Sequence, residues 1–295
     1  MRGRFMKQTA AAVLLTSSVL SFSSVAYGNT TTLDQSINKV KAELNKSTTH
    51  YVYPALAGDL VPSSLLYSAL NSAKKNYQLN RGLIVSSKLS SGQKLSKLDE
   101  INTLYNEKIL KGLIPYIDAY NYATKYLAPI LTEINAAQER NDFATVEKEY
   151  HKLSYQLKGR SAILYRFSGK AARDLLLDRY KETADSKRDE LMVPVTIYMK
   201  IKEINNLLAE SKTTEAKATL VEIDALLTDL PNASTNKFIA ALLAEVEKVR
   251  DAVDASQTPP ITPPVTPPVT PTTPDSVGSD EPSTTSPDSV GINEQ

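Results

Sequence analysis

Apolar side chains recur along most of this chain at steps of three and four, which places them on one face of an α-helix. Leu33, Ile37, Val40 and Leu44 open the pattern. A second helix is expected from about Pro62-Ser63-Ser64 through Leu66, Leu70 and Tyr77 to Gly82. Gly92 opens a third, carrying Leu95, Leu98, Ile101 and Leu104, which Gly112 closes. A longer helix follows from about Ile114 to Arg140, with Pro115 suited to its first turn and Pro129 expected to kink it.

Asn141-Asp142 caps the next expected helix, which carries Phe143, Val146, Tyr150 and Leu153. After Gly159 one long segment runs from Arg160 to about Leu208, bending at Pro194. Thr213 to Leu230 forms another helix, ended by Pro231. Asn232-Ala233-Ser234 caps the last, along which Phe238, Leu242, Val246, Val249 and Val253 share a side. Hardly a strand signal interrupts this. The fold class is all-α, with eight or nine helices in serial antiparallel bundles, triple-helical and rod-like.

Both ends break the pattern. Residues 1–28 read as a signal peptide: Arg2, Arg4 and Lys7 precede a short apolar run containing Val13, Leu14, Leu15 and Val19, and Ser24-Val25-Ala26 offers a cleavage site. From about residue 257 Pro-Pro pairs recur every four residues, which forbids helix, and the five charged residues to the end are all acidic. The expected organisation is therefore a signal peptide (1–28), a helical-bundle region (29–256) with a sub-boundary near 112–141, and a disordered Pro/Thr-rich tail (257–295). No stretch after the signal peptide is apolar enough for a membrane span.

The chemistry is sparse. With no Cys among 295 residues, disulfides and thiol chemistry are excluded, and a net charge of +1 implies no general attraction to nucleic acid. The two histidines, His50 and His151, fall in different helical units, and no phosphate-cradling loop or nucleophile elbow occurs. Carboxylates interleave with Lys and Arg at helical spacing, as on a solvated face. No enzyme activity, metal or cofactor is implied.

Two stretches stand out. Between Tyr150 and Arg173 lie Lys152, Lys158, Arg160, Arg166, Lys170 and Arg173 with no acidic residue, interleaved with Tyr155 and Tyr165. If 160–175 is helical, Ile163, Leu164, Phe167, Ala171 and Leu175 form an apolar arc, while Arg166, Lys170 and Arg173 share another side. Guanidinium forks beside aromatic faces suit an anionic sugar polymer. A basic solvated face partnered by acids of a neighbouring helix accounts for the same residues. The second stretch, 116–126, holds Tyr116, Tyr120, Tyr122 and Tyr126, for which core packing with a satisfied hydroxyl stands beside ligand stacking.

At these two stretches, residues 116–125 (YIDAYNYATK) and Tyr150-His151-Lys152 through Arg173-Asp174-Leu175-Leu176, the sequence resembles the N-terminal region of SbsC-type S-layer proteins of Gram-positive bacilli. The likeness includes Tyr155, Lys158, Arg160, Arg166, Gly169 and Lys170, and extends more weakly over about 33–255. It implies an all-helical rod that anchors to the wall by binding a secondary cell wall polymer, an anionic glycan attached to peptidoglycan. Family members continue into strand-rich lattice domains, whereas this sequence passes into its Pro/Thr segment, so the resemblance implies wall attachment and does not extend to lattice assembly. A helical envelope component that engages other surface proteins is the alternative.

Overall fold

The structure, a computed structural model, describes residues 30–231 and 234–256, so the expected signal peptide and Pro/Thr tail lie outside the described residues. Seven helices account for nearly all of them, and no strand occurs among them. α1 spans Thr30–Leu56 and α2 spans Tyr67–Ser86. α3 runs over 91–139: it is α-helical over Ser91–Tyr105, Ile114–Tyr122 and Ala128–Glu139, with wider π turns over Asn106–Leu113 and Ala123–Leu127. α4 spans Phe143–Arg160. α5 runs over 170–209, with a π turn over Leu177–Glu182. α6 and α7 span Thr213–Leu227 and Lys237–Ala255.

These helices form three triple-helical bundles in series. α1 and α2 pack on the first part of α3, the rest of α3 packs on α4 and the first part of α5, and the end of α5 packs on α6 and α7. The two long helices each serve two bundles. At 1.5 Å per residue α3 alone spans about 70 Å, so the architecture is elongated. One apolar core runs unbroken through the first two bundles, where Leu44, Ile101, Leu113, Ile134, Leu153 and Leu191 are fully buried. A second lies in the third bundle around Ile197, Ile204, Ile223 and Val246.

Local chemistry explains most boundaries. Ser90 and Gln93 form a reciprocal capping box at the start of α3, and Asp142 caps α4 by accepting from Thr145 N at 3.0 Å. α3 and α5 end alike. Asn141 and Ser211 adopt positive φ, and the following N–H groups of Asp142 and Lys212 reach back to the carbonyls of Ala137 (2.9 Å) and Leu207 (2.8 Å). Turns this tight hold successive helices antiparallel.

Three sequence expectations are corrected. Gly112 does not end a helix, because α3 continues through it. Gly112 is buried where a side chain would meet Thr48, Tyr51 and Ser168, so its role is close approach. Pro115 does not start a helix either. It lacks the N–H that Lys111 O would accept from, and Ser168 N fills that place at 2.8 Å. A break in one helix thus becomes a joint to another segment. Finally, 160–169 is not α-helical: α4 ends at Arg160, Ser161–Tyr165 is a 3-10 turn, and α5 begins only at Lys170. The arc drawn through Ile163, Leu164 and Phe167 therefore does not exist as a helix face. The last helix is capped by Asn236, which accepts from Phe238 N and Ile239 N; of the expected cap, residues 232 and 233 lie outside the described residues.

Candidate functional site

The segment 161–169 and the tyrosines of α3 meet at the joint between the first two bundles. Tyr51 of α1 stacks on Tyr116 of α3 at 4.4 Å between centroids, and Phe167 sets its edge against both. Tyr51 donates to Ser168 O at 2.7 Å and Tyr116 to Val61 O at 2.8 Å. Burial pushes the Tyr51 hydroxyl up to about 12 and raises that of Tyr116 further, despite the bond to Val61 O. Gly169 closes the joint. Its φ is +112°, and a Cβ there would sit 2.8 Å from Val52 Cγ2 and 2.9 Å from Tyr51 Cε2. Only glycine fits.

This fixes the role of several predicted site residues. Tyr116 is fully buried with a satisfied hydroxyl, and Tyr120 lies half-buried beside it, 6.3 Å away. Tyr122 is 4% exposed and donates to Gln156 O of α4 at 2.9 Å, pinning α3 to α4. Burial pushes its hydroxyl up to about 12, with Arg160 pulling the other way. Tyr116 and Tyr122 thus face the interior and offer no surface to a ligand.

Just beyond Tyr122, the second π turn of α3 brings Lys125 and Tyr126 outward. There an open groove of about 620 Å³ lies between α3 and α4. Tyr126, Pro129, Ile130 and Glu133 line one wall, at helical spacing along α3. Lys148, Glu149, Lys152, Tyr155 and Gln156 line the other, along one face of α4, with His151 at the edge. Tyr126 is 45% exposed and Tyr155 66% exposed, an unusual concentration of open aromatic surface. Arg160 places its guanidinium over the Tyr126 ring, 5.7 Å from the centroid. Lys125, Lys148 and Lys158 are exposed and have no ion pair among the described residues. Lys152 pairs at 2.5 Å with Glu149, which is almost wholly buried.

The predicted residues therefore divide. Lys152, Tyr155, Lys158 and Arg160 gather on or beside the groove. Tyr165 and Arg166 are also exposed, but sit past the end of α4; Tyr165 lies beside Lys181, whose pKa is raised by its bond to Asp185 and by its other neighbours. Lys170 pairs with Asp174, and half-buried Arg173 donates to Phe167 O at 3.2 Å, holding the joint. Sequence reasoning missed Lys125 and Lys148 as site residues and gave Tyr126 no separate role. Steps of three and four on α4 from Tyr155 back to Lys152 and Lys148 were a usable signal. The α3 wall was not readable, because a π turn shifts its phase.

No described helix is long and apolar enough to cross a membrane, and no cluster of metal-ligating residues occurs among the described residues. No known family profile matches the chain. An S-layer protein of Geobacillus stearothermophilus is 30% identical over 236 residues, which make up 76% of this chain and 18% of that protein. The crystal structure of the N-terminal part of the bacterial S-layer protein SbsC aligns at 28% identity with a TM-score of 0.64, covering 77% of this chain and 55% of that one. The structure of rSbsC(31-844) aligns at a TM-score of 0.63 over 77% of this chain and 32% of its own. The chain thus spans about a fifth of the length of its relative in sequence. In sequence and in fold alike, this helical region is similar to the N-terminal part of SbsC-type S-layer proteins.

Proposed function

We propose that this chain is an exported cell-surface protein of the S-layer type that attaches to the wall by binding an anionic glycan, a secondary polymer linked to peptidoglycan, without catalysis. The observation that carries the reading is the groove between α3 and α4. Two exposed tyrosine rings, Tyr126 and Tyr155, stand on opposite walls, with Lys125, Lys148 and Lys158, which have no ion pair among the described residues, and the ring-stacked Arg160 around them. Flat rings suit the apolar faces of sugars, and unpaired cations suit carboxylate or phosphate groups. Similarity to S-layer proteins supports the location, and the resemblance of 116–125 and 150–176 supports the ligand class.

Co-sedimentation of the full chain with purified walls, before and after extraction of the secondary polymer, tests this reading. Capture by intact walls and loss of capture after extraction are expected. Equal capture by stripped walls contradicts it and transfers the contact to peptidoglycan or protein.

A further inference from the structure

The groove is not simply basic. Between its cations it carries the carboxylates of Glu133 and Glu149 and the amide of Gln156. Glu149 is 6% exposed, and among the described residues only Lys152 donates to it, at 2.5 Å. A carboxylate has room for about four donors, so Glu149 retains acceptor capacity. Gln156 has its side-chain Oε1 buried without a donor among the described residues. A buried acceptor without a partner is costly, and this amide gains by turning toward a ligand that brings an O–H or N–H. On the α3 wall, Glu133 adds a half-exposed carboxylate, engaged among the described residues only by Arg140 at 3.3 Å.

We infer that the groove selects its ligand by hydrogen-bond donors as well as by charge: it takes an anionic glycan whose rings present hydroxyl or amide N–H donors and whose negative charges are spaced apart. This rests on the glycan-binding reading above and narrows its ligand class. A polymer with contiguous charge and no donors brings negative groups against Glu133 and Glu149, where like charges repel, and leaves Gln156 Oε1 unsatisfied. A sugar ring stacked on Tyr126 or Tyr155 directs hydroxyls from its edge to these acceptors, while a carboxylate further along meets Lys125 or Lys148. Acceptors and cations are then both used. Neither alone defines the site.

The test uses the full chain and two purified probes at physiological salt, with no wall present, so that the ranking of ligands is read separately from wall attachment. Titration calorimetry compares oligogalacturonate, a hydroxyl-bearing polyanion, with polyacrylate of equal charge number, which has no donors when ionised. At least tenfold tighter binding of oligogalacturonate is expected. Gln156→Leu and Glu133→Gln should each cut that preference severalfold while leaving the thermal midpoint unchanged or, for Gln156→Leu, slightly raised. A merely structural role for Gln156 would move the midpoint and not the preference. Equal affinity for the two probes, no binding of either, or an unchanged preference in both variants overturns the inference. Wall capture that still depends on the extractable polymer would then leave the broader reading standing.

Discussion

Two tyrosine clusters lie within a few turns of one another on α3 and have opposite fates. At the joint, Tyr51, Tyr116 and Phe167 are buried, and both tyrosine hydroxyls are spent on the backbone carbonyls of Ser168 and Val61. At the groove, Tyr126 and Tyr155 keep much of their ring surface in water. The side chains have the same chemistry and differ in what the backbone around them requires. At the joint, Pro115 frees the Lys111 carbonyl, Ser168 N–H takes it, and the aromatic rings fill the space that this crossing creates. At the groove the walls are α3 and α4 themselves. One cluster holds bundles together; the other faces out with exposed cations around it.

The largest expected effect is at the joint. Tyr116→Ala removes a fully buried ring, and losses of about 3–5 kcal/mol accompany such truncations. Gly169→Ala adds a Cβ at φ +112°, within 3 Å of Tyr51 and Val52, and backbone strain of this kind costs about 1–3 kcal/mol before the clash. Urea unfolding should show both losses. The protein that remains folded should still be captured by walls, because neither residue touches the groove.

Alkaline pH probes the buried tyrosines at and beside the joint. The raised Tyr51 and Tyr122 hydroxyls, at about 12 against an ordinary value of 10, stay protonated in the folded chain after they have ionised in the unfolded one. Their contribution to stability is therefore complete below pH 10 and is lost as pH rises through 12. The thermal midpoint should fall steeply across that window. Absorbance at 295 nm should show a set of tyrosines that ionise only as the helices unfold. A flat midpoint from pH 10 to 12 would show that the hydroxyls are not held in the interior.

How much of this was legible in the sequence follows from the same comparison. Periodicity located α1, α2, α4, α6 and α7, because each has one apolar stripe and ordinary ends; Asp142 was readable as a cap since its bond is to the next turn. The continuity of α3 was not readable. By local rules Gly112 ends one helix and Pro115 starts another, and only the approach of Tyr51 and Ser168 from distant segments makes them joint residues. The bend at 161–169 was hidden for a similar reason: Phe167 and Ser168 are drawn to the joint, and Gly169 supplies a conformation that sequence spacing does not reveal. Lys152, Tyr155, Lys158 and Arg160 stand out in the sequence as a basic run interleaved with tyrosine, and they lie together in space because α4 is regular. Tyr116 and Tyr122 could not be told from Tyr126, because which side of α3 is covered depends on partners remote in sequence.

A smaller effect separates the groove from its charged surroundings. Lys125→Gln, Lys148→Gln and Lys158→Gln together should weaken wall binding roughly tenfold or more, since exposed charge contacts contribute up to about 1 kcal/mol each and 1.4 kcal/mol is a factor of ten. The midpoint should move little, because none of the three has an ion pair among the described residues. The matched triple Lys39→Gln, Lys74→Gln and Lys75→Gln in the first bundle should leave binding nearly intact. Raising salt should weaken the parent chain more than the groove triple. Equal losses from both triples would mean diffuse attraction with no defined groove.

The account's central claim is that Tyr126 and Tyr155 are ligand-facing while their neighbours Tyr116 and Tyr122 are not. The most direct measurement is a binding isotherm on purified walls for the Tyr126→Ala/Tyr155→Ala double variant, paired with its thermal melt. Interface tyrosines that anchor a ligand are worth more than about 1 kcal/mol each, so affinity should drop about tenfold or more. The midpoint should stay within a few degrees of the parent, because both rings are largely solvent-facing. Unchanged affinity in a folded double variant would contradict the account and remove the groove as the site of attachment.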